Sequence, residues 1–119
     1  MDQHVVDEIV CADLNVRWFP GCLWCADEQC RFTFLSSRMV RLFGRSLRSI
    51  EDLAHAAHPD DVAGHEAAIR GHSREVRYRT AGGTYRWFEH TTGPAFHQKR
   101  QGQRVGVLID IHERKIAGS

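Results

Sequence analysis

The chain carries almost no net charge, no long apolar run and few of the motifs that announce chemistry. Its 16 Lys and Arg against 15 Asp and Glu leave +1 over 119 residues. That balance provides no electrostatic footprint for nucleic acid or for an anionic membrane. No apolar stretch approaches membrane-spanning length, and the first residues lack the basic-then-apolar pattern of a secretion signal. The expectation is a cytoplasmic domain with neither a nucleic-acid partner nor membrane contact. There is no glycine-rich phosphate loop and no nucleophile elbow, so no catalytic constellation is expected. Repeats and low-complexity segments are missing too, and the length suits one domain with a core of its own.

Cysteine is scarce but suggestively spaced. Cys22 and Cys25 form a Cys-x-x-Cys, with Cys30 five residues on and Cys11 earlier. Such spacing invites zinc, an iron–sulfur cluster or a redox pair. If residues 23–26 are a strand, however, Cys22 and Cys25 point to opposite faces and lie about 10 Å apart. Free thiols packed as small hydrophobes in a reducing compartment are the expectation, with no metal.

What is present is alternation. Glu75 to Thr80 alternates with period two, placing Val76 and Tyr78 on one face and Glu75, Arg77 and Arg79 on the other. Gly82-Gly83 supplies the positive φ of a tight hairpin, and Thr84 to Thr92 reads as the return strand. There Phe88 and His90 share a face opposite Tyr85, Trp87 and Glu89. Arg104 to Ile111 is apolar on both faces, as a strand covered on both sides would be. Two further strands are predicted around residues 23–26 and 31–36, joined through Asp27-Glu28-Gln29. Between the strand groups lie short helices. Ser36 or Ser37 caps one that ends at Gly44, and Ser49-x-x-Asp52 starts a second. His58-Pro59 stops that helix and seeds a third, with Val62 and Ile69 on its inner side. Val5, Ile9, Ala12 and Val16 fall on one stripe, predicting a helix over residues 1–18 outside the core. The sum is an α+β domain: a five-stranded antiparallel sheet with short helices on one face.

Residues 75–94, "EVRYRTAGGTYRWFEHTTGP", and 106–115, "GVLIDIHERK", resemble the C-terminal half of a PAS domain, the second being like its PAC exit motif. "HPDD" at residues 58–61 and "GCLWCADEQCRFTFLSSRMVRLFG" at residues 21–44 resemble that family's helix-opening motif and its first hairpin and helix. His112 stands where the exit motif usually has Thr. The resemblance implies a sensory module over residues 19–115, with 116–119 opening a linker to an output domain: a histidine kinase, a diguanylate cyclase or a transcription factor. It implies a cavity between sheet and helices lined by Met39, Leu42, Phe43, Leu53, Val62, Val76, Tyr78, Phe88, His90 and Leu108. That space is either a small-molecule pocket or a packed core in which Tyr78 and His90 bond each other or backbone. Asp110, His112, Glu113 and Arg114 would form the signal exit.

Several cofactors can be weighed against the residues. "QCRF" at 29–32 is similar to a blue-light flavin motif, but it falls on the second strand rather than a later helix, and residues 50–58 hold no Cys. A chromophore thioester near the third strand fails as well, because no Cys lies between Pro59 and Thr92. Haem-binding relatives use a His on the last helix, which makes His65 the candidate axial ligand, although a solvated His is the commoner outcome. His55 and His58, three apart, read as a solvent-facing helix-end pair. Arg38, Arg41, Arg45 and Arg48 read as a solvated face. The outer sheet face is more informative: Val105, Val107, Ile109 and Ile111 share one side of the last strand, beside Tyr85 and Trp87. An apolar patch of that kind needs a cover. Val5 and Ile9 of the chain's own first helix, or of a second copy in a homodimer, would supply it. His90 with Tyr78 is the only acid–base pair an enzyme could use.

Overall fold

The alternating runs become strands whose order is not their order in the chain. A computed structural model describes residues 21–94 and 103–118. Strands β1 (Cys22–Ala26), β2 (Phe32–Leu35), β3 (Arg74–Arg79), β4 (Tyr85–Pro94) and β5 (Arg104–Asp110) make one antiparallel sheet, ordered β2-β1-β5-β4-β3. Helices α1 (Ser37–Phe43), α2 (Ile50–Ala56) and α3 (Val62–Ile69) separate β2 from β3, and α4 (His112–Ala117) follows β5. The expected N-terminal helix, with Val5 and Ile9, lies outside the described residues.

The last strand in sequence is the central one in space. β5 is hydrogen-bonded on one side to β1 and on the other to β4, and of its two apolar faces the inner one is buried while Val105, Val107 and Ile109 on the outer one are half-buried. The core lies between the sheet and the helices. Cys22, Trp24, Val76, Tyr78, Phe88 and Leu108 project into it from four strands, against Met39, Phe43, Ile50 and Leu53 from the helices. A smaller cluster on the outer face joins Cys25 to Leu23, Phe34 and Val105. Cys22 and Cys25 thus point to opposite faces, in different clusters.

Local chemistry sets the element boundaries. Ser36 Oγ accepts from Met39 N–H at 3.3 Å to cap α1, and also from Leu23 N–H at 3.0 Å, tying the helix start to β1. Gly44, with φ 85°, turns the chain out of α1 in a conformation that side chains resist. Ser49 Oγ caps α2 by accepting from Asp52 N–H at 3.2 Å. Each sheet edge is engaged at one point by the connecting segment. Phe32 N–H donates to Arg48 C=O on the β2 side, and His58 N–H donates to Arg77 C=O on the β3 side, each at 2.8 Å. Engaging an edge there denies that stretch to other strands. The β3–β4 turn is the expected one around Ala81-Gly82-Gly83, closed by Thr80 N–H to Thr84 C=O at 2.9 Å, but only Gly83 of the glycine pair has positive φ.

One glycine decides whether the core closes. Gly106 of β5 lies directly across from Trp24 of β1, and a Cβ there would overlap the Trp24 indole. Gly106→Ala should therefore cost about 2–3 kcal/mol by overpacking. Paired with Trp24→Leu it should cost less, and a double-mutant cycle by urea denaturation should give a coupling of about 1 kcal/mol or more. Additive losses would contradict this packing.

Candidate functional site

Positioning begins at "HPDD". His58 Nδ1 accepts from Asp60 N–H at 3.0 Å, and Pro59 occupies the first helical position without wasting a donor. Asp61 reaches across to β3. Its carboxylate accepts from Arg77 N–H and Nε–H, both at 2.8 Å, and from Nη2 at 3.1 Å. The Arg77 hydrogen bonds hold the Asp61 carboxyl below the usual carboxylate range. This clamp fixes the start of α3 against β3. One turn later His65 faces the sheet, only 2 % exposed.

There a line of rings is buried. His65 Nδ1 lies 2.7 Å from Tyr78 Oη, Tyr78 Oη lies 2.8 Å from His90 Nδ1, and Trp24 Nε1 donates to His90 Nε2 at 3.2 Å. The protons can be assigned by elimination. Indole N–H only donates, so His90 Nε2 accepts, and a neutral His90 carries its proton on Nδ1. That N–H donates to Tyr78 Oη, and the Tyr78 hydroxyl is left to donate to His65 Nδ1. His65 is then the Nε2–H tautomer. Burial pushes the His65 imidazole down to about 4 and the His90 imidazole down to about 3, the latter lowered further by nearby His65. Burial also raises the Tyr78 phenol. All four rings are uncharged at neutral pH.

Most of the expected lining residues converge here. Met39, Phe43, Leu53, Val76, Tyr78, Phe88, His90 and Leu108 are buried together, and Phe43 packs on Phe88 and Tyr78 with ring centroids at 5.5 and 6.2 Å. Leu42 is half-buried at the core's margin. Val62 is a correction: it is 39 % exposed, because the Asp61 clamp rotates α3 so that His65 and Ala68 turn inward. His65 corrects the expectation of a solvated histidine. Tyr78 and His90 pack beside the His65 ring, with centroids at 5.7 and 6.0 Å, and Nδ1 is committed to Tyr78, so that nitrogen is not open to a haem iron. Nothing in the sequence reading singled out Trp24 or Gly106. The signal was available in the parity of Cys22, Trp24 and Ala26, which share one face of β1.

Outside this chain the candidates stay apart. Among the described residues no group of three His, Cys, Asp or Glu could hold a metal. Burial raises the Cys22 thiol to about 12, which makes it a poor ligand or nucleophile. Cys30 lies in the β1–β2 turn with φ 66°, not on the second strand. His58 is used in its cap and packs on Tyr85 at 4.9 Å, while His55 is exposed. Arg38, Arg41, Arg45 and Arg48 are all exposed. An open groove of about 410 Å³ between α2 and α3 is lined by Ile50, Glu51, Ala54, Ile69 and Arg70, and it reaches His65.

The exit residues form a second constellation. Asp110 accepts from Arg86 Nε–H at 2.9 Å and from His112 N–H at 2.9 Å. Trp87 N–H donates to His112 Nδ1 at 3.3 Å, and Ile111 N–H donates to Trp87 C=O at 2.9 Å. Glu113 lies 3.7 Å from Arg86. Glu75 takes Lys115 Nζ at 2.8 Å and Arg114 at 3.5 Å, and its carboxyl is held low by the Lys115 hydrogen bond. Arg77 and Lys115 both lie over the Trp87 ring, at 4.8 and 4.4 Å from its centre. Ile111, expected on the outer strand face, instead precedes α4 and is buried.

Two depressed imidazoles make stability depend on pH with a definite sign. Below about pH 6.5 the unfolded chain takes up protons that the folded chain refuses. Stability should be level above pH 7 and fall as pH drops from about 6.5, by up to about 1.4 kcal/mol per unit for each histidine. Urea midpoints at pH 7, 6 and 5, before most carboxylates titrate, would read this. Tyr78→Phe, which strands a nitrogen on each imidazole, should cost about 3 kcal/mol at pH 7.

The comparisons agree with this geometry. Among curated proteins none matches the chain. A family model described as the PAS fold matches residues 32–108. Among solved structures, a sensory box histidine kinase/response regulator from Burkholderia thailandensis is similar at 22 % identity and TM-score 0.67, covering 90 % of this chain and 88 % of that one. The N-terminal domain of a diguanylate cyclase with a PAS/PAC sensor from Marinobacter aquaeolei is similar at 21 % identity and TM-score 0.60, covering 80 % and 98 %. The LOV domain of a blue-light activated histidine kinase from Erythrobacter litoralis is similar at 20 % identity and TM-score 0.61, covering 79 % and 98 %. With its sheet order, its exit motif and a family match over most of its length, this chain belongs to the PAS fold family.

Proposed function

We propose that this chain is a sensory module that passes the state of its buried ring chain to a helix leaving the domain. The observation supporting this reading is that β3 and β4 are engaged on both faces. Inward, they carry Tyr78 and His90. Outward, Glu75 holds α4 through Lys115 and Arg114, and Trp87 holds it through Lys115. A rearrangement of the Tyr78–His90 contact shifts the two strands on which α4 is docked. The input is a small molecule entering the groove between α2 and α3, where it meets His65. Binding then selects one of two arrangements of β3, β4 and α4, as any ligand with unequal affinity for two states does. Structural relatives come from a histidine kinase and a diguanylate cyclase, and a linked output domain of that kind would receive α4. No chemistry is assigned to the module itself: the Tyr78–His90 pair is buried and its hydrogen bonds are used internally. No described helix is long and apolar enough to cross a membrane.

A homodimer is part of the same reading. Val105, Val107 and Ile109 of β5 are half-buried beside Leu23 and Phe34, an apolar strip that a second copy would cover.

Two measurements test these ideas. Hydrogen exchange of the α4 amides, Lys115 and Gly118 foremost, should quicken several-fold in Tyr78→Phe and stay put in the exposed-site control Val62→Ala; unchanged rates in both would break the proposed relay. Sedimentation at micromolar concentration should give a dimer that Val107→Glu converts to monomer, and a wild-type monomer throughout would remove the dimer.

A further inference from the structure

The ring chain has a direction, and it surfaces at one end. An indole N–H can only donate, so the donors run from Trp24 to His90, to Tyr78 and to His65, and the last proton stands on His65 Nε2. Reversing the run would set an N–H of His90 against the N–H of Trp24 inside the core. The two nitrogens of an imidazole point away from each other, so with Nδ1 turned to Tyr78, Nε2 turns away from the chain. No described residue takes that N–H. Among the described residues, the side-chain polar atoms sealed from solvent without a partner are Thr33 Oγ1, Thr92 Oγ1 and Gln103 Oε1. His65 Nε2 is not one of them, so it keeps accessible surface on a residue that is otherwise buried. The opening that His65 lines is the groove of about 410 Å³ between α2 and α3.

The rest of the groove limits what can meet this donor. Ile50, Ala54 and Ile69 give it apolar walls, while Glu51, Glu66 and Arg70 are exposed at its rim. Two carboxylates against one guanidinium oppose an anion. An ammonium group would suit the carboxylates, but its N–H would face the N–H of His65 and leave a desolvated donor unpaired, which is costly. A neutral oxygen acceptor on an apolar body meets all three conditions at once.

We propose that this groove, taken as the module's input, selects neutral apolar molecules that carry a carbonyl oxygen, and that Trp24 fixes the preference from the far end of the ring chain. The carbonyl accepts from His65 Nε2–H, and the apolar body lies against Ile50, Ala54 and Ile69. Trp24 touches no ligand and acts as a positioning residue. Because its indole cannot accept, every proton in the run is held in one place, and His65 can offer the groove only a donor. A site built around one fixed donor discriminates strongly against an analogue that lacks the matching acceptor. This specificity rests on the groove being where the sensed molecule enters.

Nuclear magnetic resonance on the whole chain tests this in two steps. Long-range proton–nitrogen spectra of the imidazoles should show His65 protonated on Nε2 and bare on Nδ1, with His90 the reverse; the opposite tautomer at His65 would overturn the proposal. Three bicyclic probes of nearly one shape then read the groove: 1-indanone accepts, indole donates through its N–H, and indane does neither. Followed at His65 Nε2–H and at the amides of Ala54 and Ile69, 1-indanone should bind at least about tenfold more tightly than the other two. Trp24→Phe removes the donor that orients the run, so His65 can adopt either tautomer and the advantage of 1-indanone over indole should largely vanish. Should that variant fail to fold, the wild-type tautomer and the ranking of the probes decide. Equal binding of all three, or tighter binding of indole, would overturn the specificity and leave the groove as an input. No binding of any probe beside His65 would remove the groove's role as well. A folded Trp24→Phe protein that ranks the probes as the wild type does would strip Trp24 of its part.

Discussion

Four buried rings share one core here through a run of three hydrogen bonds, and that run depends on a missing side chain. Trp24 is the largest fully buried side chain among the described residues, and its indole passes over Gly106. Because β5 surrenders its Cβ there, Nε1 comes within reach of His90. His90 can then turn its proton toward Tyr78, and Tyr78 can turn its own toward His65. Remove the space at residue 106 and the sequence of donors loses its first member. A half-satisfied buried network is worse than an apolar core, so the elements that bring these rings together are held tightly. β1 is tied to α1 through Ser36, and β3 to α3 through Asp61 and Arg77.

The same strands separate two kinds of interaction. Inward contacts are neutral, desolvated and short, and burial keeps them neutral. Outward contacts are ionic and partly solvated: Glu75 with Lys115 and Arg114, Arg86 with Asp110 and Glu113, two cations over Trp87. Water screens the outer set, so each pair contributes modestly, and together they hold a helix that can be released. A sheet that is rigid on one side and weakly latched on the other suits a module that moves one terminal element without unfolding.

Strand identity was legible because alternation is a local property. Period alone put Val76 with Tyr78 on one face of its strand and Phe88 with His90 on one face of the next, the resemblance implied that both faces look inward, and the sheet has them there. The caps at Ser36 and Ser49 were legible for the same reason, since a hydroxyl three residues before an amide needs no distant partner. Val62 misled because α3 is short and half alanine and glycine, leaving no apolar stripe strong enough to set its rotation. What sets it is the salt bridge from Asp61 to Arg77, sixteen residues away. Trp24 was passed over as one apolar residue in a short strand, and no local pattern says that its partner is a glycine eighty-two positions later.

Period, capping and turn chemistry specified the elements, their faces and the α+β class, because each rests on residues within a few positions of one another. The family was legible too, from four motifs met in the right order. Which strand stands at the centre, which histidines are buried and which proton lies on which nitrogen were decided only by tertiary contact. Those properties belong to pairs of residues remote in the chain, and their energies exist only once water has been removed from between them.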